Sequence, residues 1–494
     1  MAKSNPPATR TAFDFSSQEI DQYLKSGEHA DKLRDYFGPV QYAELVELAN
    51  KPPERRLRAQ RRVLVLPGIM GSTLGLRGFF GTIWINPLKI AAGSLYDLAI
   101  QENGDHSYEA LDVVPYFYYA FRKRLQSAGF HVDNHYYDWR LDLEELADVL
   151  IERIKAEPFA KVSLVGHSMG GLIARLALRD DEVREKVDRL VMLGTPNHGS
   201  FNSLQLFEGT HALASNVERI DQRHDMDELM ENVFNTFPSV YQLLPFQSKY
   251  AHSEFYQTGK WDWRGTRPKP VQKWLDRANE LAALYPDPDP ETHYLIATNS
   301  LDTYVDASFT DTDIAYKLSL AGDGTVPFDS AHLPGVKTKL VSSEHQNLPT
   351  DREVSDATID VLLKSPSEWV DDTPNRSRGT QRTRTVRGSE LAAAVPFDGR
   401  EGNRLTPADY RELLESIFGG STAKPKGSRG TIGSPPSAAK KLSGLSIGQR
   451  PRRRLEITLA RGILTEADAK VTVVGLFQNV QAGGAAFEIG RAHV

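Results

Sequence analysis

The sequence predicts an α/β protein: a mostly parallel sheet with helices on both faces, an inserted helical lid, and a C-terminal region of weaker structure. Three observations predict it. From Arg61 onward, short apolar runs alternate with helix-like patterns, and buried strands alternating with helices build parallel sheets covered on both sides. The alternation stops between about 200 and 290, where helical patterns are broken by proline. A structureless loop of that length is uncommon in a compact domain, so a lid is expected there. After Pro366 the pattern decays into basic and low-complexity stretches such as "STAKPKGSRGTIGSPPSAAKKLSG", a composition that cannot bury a core.

Residues 1–60 read as an N-terminal helical extension: "SSQE" at Ser16 to Glu19 has the spacing of a capping box, and "VQYAELVELANK" carries apolar residues at helical intervals. Residues 61–370 form the expected catalytic domain. Its strand candidates are "RVLVLPG", "HVDNHYYDW", "KVSLVGH", "VDRLVMLGTP", "THYLIAT" and "TKLVSSEH", with helices expected near 116–128, 142–157, 169–180 and 350–364. Residues 371–453 read as a flexible linker with one helix near 405–418, and 454–494 as an incomplete second module, α/β-like in character. Its last seven residues, "EIGRAHV", are what a common sequencing adapter would encode in frame. Residues 371–494 are expected to be dispensable for the chemistry.

Composition excludes several chemistries. With no cysteine among 494 residues, disulfides, thiolate catalysis and Cys-ligated metal centres are absent. A net charge of −6 gives no overall attraction to nucleic acid or anionic membrane. The first residues lack the apolar core of a secretory signal, and no apolar stretch is long enough to span a bilayer. A cytoplasmic protein is expected, with peripheral contact to a lipid surface left open. No cofactor or metal is expected, and composition says nothing of oligomeric state.

Gly166-His167-Ser168-Met169-Gly170 fits G-x-S-x-G between a strand, "KVSLV", and a helix, "GGLIARLAL". Such a turn is tight, so small residues flank the serine and its hydroxyl projects above the sheet edge. A nucleophilic serine needs a base and an orienting carboxylate, here in chain order serine, acid, histidine. Asp323 in "LAGDGTVPFDS" and His345 in "LVSSEHQNLP" supply that order. Asp302, Asp306, Asp311, Asp313 and Asp329 make an acid-rich loop, but Asp323 alone sits in a glycine-bounded turn closing an expected core strand. His332 is the rival base, placed too soon after Asp323 for a strand to return it to the active edge. Donors for the oxyanion are expected from the backbone N–H of Met169, after the nucleophile, and of Met70, in the loop of "VLVLPGIMGSTL".

Together with "GTIWINPL", "YYDWRLD", "VMLGTPNHGS" and "FPSVYQLLP", these motifs resemble, in order, the lecithin:cholesterol acyltransferase-like branch of the α/β-hydrolases, which includes phospholipid:diacylglycerol acyltransferases and phospholipases. The resemblance covers about 61–365. It implies an α/β-hydrolase fold, a triad of Ser168, Asp323 and His345, and a lid bearing on a lipid acyl chain. It further implies substrate or loop support near the site from Asp138, Trp139 and Arg140, and from Trp84 of "GTIWINPL", the alternative being a buried Asp–Arg pair of purely structural purpose. The function expected is transfer of an acyl group from a lipid ester, through acyl-Ser168, to water or an alcohol. The alternatives are a catalytically idle scaffold that binds within a larger assembly, and an amidase or peptidase.

Overall fold

A computed structural model of the chain describes residues 11–51, 61–76, 81–101, 107–212, 216–217, 220–221, 223–265, 267–363, 369, 383–394, 414, 441–445 and 455–458. It divides into two units, Met1–Lys424 and Pro425–Val494. The larger unit is built on a six-stranded parallel sheet in the order Lys337–Val341, His293–Thr298, Val187–Leu193, Val162–His167, Arg62–Leu66, His131–Asn134. All six strand candidates named above are in it. Val162–His167 is buried at every position, as a central strand covered by helices on both faces must be. This is the α/β-hydrolase arrangement.

The strand order decides where a site can form. The chain moves from Arg62–Leu66 outward to His131–Asn134, then crosses back to lay Val162–His167 on the other side of Arg62–Leu66. At such a reversal the connections leave the carboxyl ends of the two neighbouring strands in opposite directions and open a crevice. Leu66 lies in register with Gly166. The loop after Leu66 and the turn at Ser168 therefore emerge side by side.

Local sequence explains the flanking helices. Asp142 caps Leu143–Ala156 by accepting from Glu144 N, and Leu143, Leu146, Ala147, Leu150, Ile151 and Ile154 line the buried face. Ser16 and Glu19 form the expected capping box of Ser17–Ser26. This helix, with Ala30–Phe37 and Pro39–Asn50, packs on Pro115–Ser127: Tyr119 donates to Asp21 at 2.8 Å and Arg124 to Glu44 at 2.6 Å.

Two smaller sheets depart from the expectations. Ser72–Gly75 pairs antiparallel with Thr82–Trp84 and Glu109–Val113. The acid-rich segment is a long hairpin, Leu301–Phe309 with Ile314–Gly322; Asp302 and Asp306 belong to a strand, and Asp311 and Asp313 lie in the turn. Register shifts interrupt its pairing, and each one breaks the alternation by which a half-buried strand is recognised. Asp323 thus follows a strand of this antiparallel sheet and not of the core sheet.

The expected linker also needs correction. Arg384–Arg387 adds to the Ile314–Gly322 edge, and Gly388–Ala394 follows as a helix. Val386 and Leu391 are buried, and Ser389 donates to Asp313 at 2.7 Å. The basic residues that made this stretch look like linker point outward at Arg387 while Val386 faces the core. In the smaller unit, Lys441–Leu445 pairs antiparallel with Leu455–Thr458, across the boundary expected between linker and second module. The rest of the expected linker, its helix near 405–418 apart from Leu414, and the remainder of 454–494 lie outside the described residues.

Candidate active site

Ser168 sits between the end of the Val162–His167 strand and the helix Met169–Ala177 with φ 53° and ψ −123°, a region that a side-chain-bearing residue enters only under strain. The surroundings enforce it. A Cβ at Gly166 would lie 2.5 Å from the Gly171 backbone, and one at Gly170 would lie 2.4 Å from Pro67 O. Only glycine lets strand, turn and helix close this tightly.

His345 begins a short helical turn just after the Lys337–Val341 strand. Its Nε2 lies 2.9 Å from Ser168 Oγ, and its Nδ1 lies 2.7 Å from Asp323 Oδ2. A carboxylate oxygen only accepts, so Nδ1 carries the proton and Nε2 is left to accept from the serine hydroxyl. The other oxygen, Asp323 Oδ1, accepts from Thr325 N at 3.0 Å and Val326 N at 2.7 Å, which fixes the carboxylate plane. His345 N also donates to Asp323 O at 2.9 Å. All three side chains are buried. His332 takes no part in this chain of bonds; it ends a different turn, with its ring against Phe328.

The loop after Leu66 is held from several sides. Pro67 O accepts from Tyr137 Oη, and Gly68 N donates to Tyr118 Oη at 2.9 Å. Met70 O accepts from Trp84 Nε1 at 2.8 Å, and Gly71 O accepts from Val114 N at 2.8 Å. Met70 itself has φ 60°. Among the described residues no acceptor is found for its N–H. Met169 is the first residue of its helix, so its N–H is one of the first-turn donors with no intrahelical partner.

Of the remaining expected residues, Trp84 and Trp139 bond to this loop and to the strand after it, while Asp138 and Arg140 bond to each other and to other segments. Trp84 packs edge-on against Trp139, whose Nε1 donates to Ser72 O at 3.1 Å. Arg140 is wholly buried, paired with Asp138 through two contacts of 2.9 and 2.5 Å, and it also donates to Leu98 O and Tyr108 O.

Beside Ser168 opens a cavity whose walls are mainly apolar, from Ile69, Met70, Leu206, Val240, Leu243 and Val326. Two of its serines are bonded to backbone carbonyls, Ser200 to Thr325 O and Ser203 to Ser200 O, both at 2.6 Å, and Asn202 and His211 add polar atoms to the wall. Leu206, Val240 and Leu243 come from the 200–290 insertion. That insertion is anchored by its own aromatic core of Phe207, Tyr241 and Trp261, and by Arg277, which pairs with Asp142 at 2.8 Å and Glu144 at 2.5 Å.

Three residues at the site escaped the sequence reading. Gly194, φ 58°, lies so close to the acid–base pair that a Cβ would stand 3.0 Å from both Asp323 Oδ2 and His345 Nδ1. Its only signal was the glycine of "LGTP". Tyr118 and His167 bond to each other at 2.8 Å, and His167 was visible only as the variable position of the serine motif. Burial, with His345 nearby, holds His167 well below the ordinary histidine pKa, so it is neutral.

Residues 106–266 match the family model described as Lecithin:cholesterol acyltransferase, the family that the sequence motifs resemble. The matched span includes Ser168 and ends before Asp323 and His345. No curated protein matches the chain. Similar solved structures include the mature lipase BlEst2 of Bacillus licheniformis, at 15% identity over 63% of this chain and 95% of that one, with TM-score 0.31. Phospholipase PlaB of Legionella pneumophila has 12% identity over 62% of this chain and 60% of its own, with TM-score 0.31. An esterase of Pyrobaculum calidifontis has 10% identity over 72% and 94%, with TM-score 0.28. At these scores the fold assignment rests on the chain's own sheet.

Proposed function

We propose that the chain is a serine hydrolase or O-acyltransferase that takes an acyl group from a lipid ester onto Ser168 and passes it to water or an alcohol. The observation that carries the reading is the directed chain Ser168 Oγ–H, His345, Asp323, set at the mouth of an apolar cavity.

Each step uses a group already in position. His345 Nε2 takes the Ser168 proton as Oγ bonds to the ester carbonyl carbon, and Asp323 stabilises the imidazolium that results. The carbonyl oxygen becomes an oxyanion facing the N–H groups of Met70 and Met169. Donors aimed at developing charge in a site shielded from water are worth about 3–4 kcal/mol each. On collapse the ester C–O bond breaks, the leaving alcohol takes the proton from His345, and an acyl-Ser168 ester remains. Water or a second alcohol then gives its proton to His345 as it attacks the acyl carbon; the bond from that carbon to Ser168 Oγ breaks, Oγ takes the proton back from His345, and free acid or a new ester leaves. No metal or organic cofactor is required by this route.

The mainly apolar wall of Ile69, Met70, Leu206, Val240, Leu243 and Val326 favours an acyl chain over a polar leaving group. Covered by the insertion, an acyl-serine would be shielded from bulk water, which favours an alcohol acceptor. The test is a fluorophosphonate probe, followed by a panel of lipid esters with product analysis. Labelling at Ser168 with release of fatty acid or a new ester is expected. A folded protein that neither labels nor cleaves any ester would instead fit a binding scaffold.

A further inference from the structure

We infer that Tyr118 and His167 are positioning residues that join the loop carrying Met70 to the backbone of His345, so that the oxyanion donor and the general base are held as one body. The inference rests on the acyl-transfer reading of the site. The starting point is a set of three hydrogen bonds that no step of the chemistry uses: Gly68 N to Tyr118 Oη at 2.9 Å, Tyr118 Oη to His167 Nδ1 at 2.8 Å, and His167 Nε2 to His345 O at 3.1 Å.

Their directions follow from the groups themselves. The His345 carbonyl only accepts, so His167 Nε2 carries the hydrogen. A neutral imidazole has one N–H, which leaves Nδ1 as an acceptor. Tyr118 must then donate its hydroxyl hydrogen to Nδ1, and its oxygen is free to accept from Gly68 N–H. Every donor has one acceptor and no rotor is left undecided. Tyr118, His167 and His345 are all buried, so water cannot substitute for a lost link, and an unpaired member would be left with the full cost of its burial.

Position gives the chain its consequence. Gly68 opens the loop whose third residue is Met70, and the turn is closed by Gly71 N to Gly68 O at 3.0 Å. A Cβ on Gly71 would meet Tyr118 Oη at 2.9 Å, so the phenol presses on both ends of that turn. His167 directly precedes the nucleophile, and His345 O belongs to the base itself. The relay thus touches the oxyanion loop, the serine turn and the base, and it runs alongside the Ser168–His345–Asp323 chain without sharing a bond with it. Its anchor, Pro115–Ser127, is clamped from outside by the N-terminal helices, through Tyr119 to Asp21, Arg124 to Glu44, and Gln41 to Tyr116 O. Rigid placement of donors before reaction is what makes them effective, and a misplacement of about 1 Å can cost on the order of 100-fold.

Tyr118→Phe in the full chain removes one hydroxyl and keeps the ring. On a short soluble ester, with active sites counted by fluorophosphonate titration, kcat should fall about 10- to 100-fold while KM stays within about two-fold, because the loop's donor acts on the transition state. A kcat per titrated site within about two-fold of the parent would overturn the inference, whatever the melting temperature does. As a second measurement, nuclear magnetic resonance of the ¹⁵N-histidine-labelled parent protein should find His167 as the neutral Nε2–H tautomer, its signal assigned by its loss in His167→Gln. This decides the matter if Tyr118→Phe does not fold, and the Nδ1–H tautomer would overturn the relay. A parent protein that neither labels nor turns over any ester removes the acyl-transfer reading and the relay's role with it; an active parent with an unaffected Tyr118→Phe removes the relay alone.

Discussion

Replacing Gly194 by alanine tests the site with one methyl group. The glycine ends the Val187–Leu193 strand with φ 58°. Holding alanine in that left-handed conformation costs roughly 1–2 kcal/mol, a stability loss that leaves most molecules folded. The larger effect is local. The new Cβ would lie 2.6 Å from Leu348 Cδ1, which can rotate aside, but also 3.0 Å from Asp323 Oδ2 and His345 Nδ1. Those two atoms are already bonded at 2.7 Å, and Asp323 is held on its other oxygen by two backbone N–H groups. Relieving the contact means driving the imidazole or the carboxylate away by a few tenths of an ångström. Since about 1 Å of misplacement costs on the order of 100-fold, a shift of a few tenths of an ångström at Gly194→Ala should lower kcat about 3- to 6-fold. The assay is turnover of a short soluble ester alongside thermal unfolding and the rate of fluorophosphonate labelling. Parent-like kcat, or a loss no larger than the unfolded fraction, would refute the reasoning.

Ser168→Ala should abolish probe labelling and lower esterase activity on the order of 10⁴-fold or more; Asp323→Asn and His345→Ala should each fall severely while His332→Ala stays near the parent, and an essential His332 would transfer the role of base. Ending the chain at 370 removes Val386 and Leu391, whose burial contributes about 1.5–3 kcal/mol each, so chemical denaturation should find that form less stable by about 3–6 kcal/mol than one ending at 400; equal stability would make the 384–394 segment incidental. Burial lowers His135 to about 3, and His211 and His293 to about 4, below the 6.5 of the unfolded chain. The unfolded state therefore binds more protons between pH 6.5 and about 4, so stability falls as pH drops through that window by up to about 1.4 kcal/mol per pH unit for each histidine. Glu208, whose carboxyl burial raises, opposes this in the lower part of the window, one group against these three and against His167 and His198, which burial also lowers. Melting temperatures that do not fall from pH 7 to pH 5 would contradict the burial of these rings.

How much of this was legible in advance differs by element. The six core strands are continuous apolar runs because both faces of the sheet are covered, so they announce themselves along the chain. The serine turn shows in sequence as a short local motif, yet only Gly166 answers a contact within a few residues, at Gly171; Gly170 answers Pro67 O on the neighbouring strand's loop. The chain order of Ser168, Asp323 and His345 could be read without coordinates; the hydrogen bonds that join them could not. What the tertiary structure alone decided are contacts between segments far apart in sequence. Tyr118 reaches Gly68 and His167 across 50 and 49 positions, and nothing in "PYFYYAF" separates the tyrosine that enters the site from its neighbours Tyr116 and Tyr119, which face the N-terminal helices. Gly194 is glycine because of a pair of side chains more than a hundred residues later. The 384–394 segment looked like linker because two buried side chains among arginines make a weak pattern, and only the open edge of Ile314–Gly322 turns them into a strand and a helix. Periodicity records what a segment does with its own nearest turn or pleat; which distant backbone completes it is settled only when the sheet brings the two together.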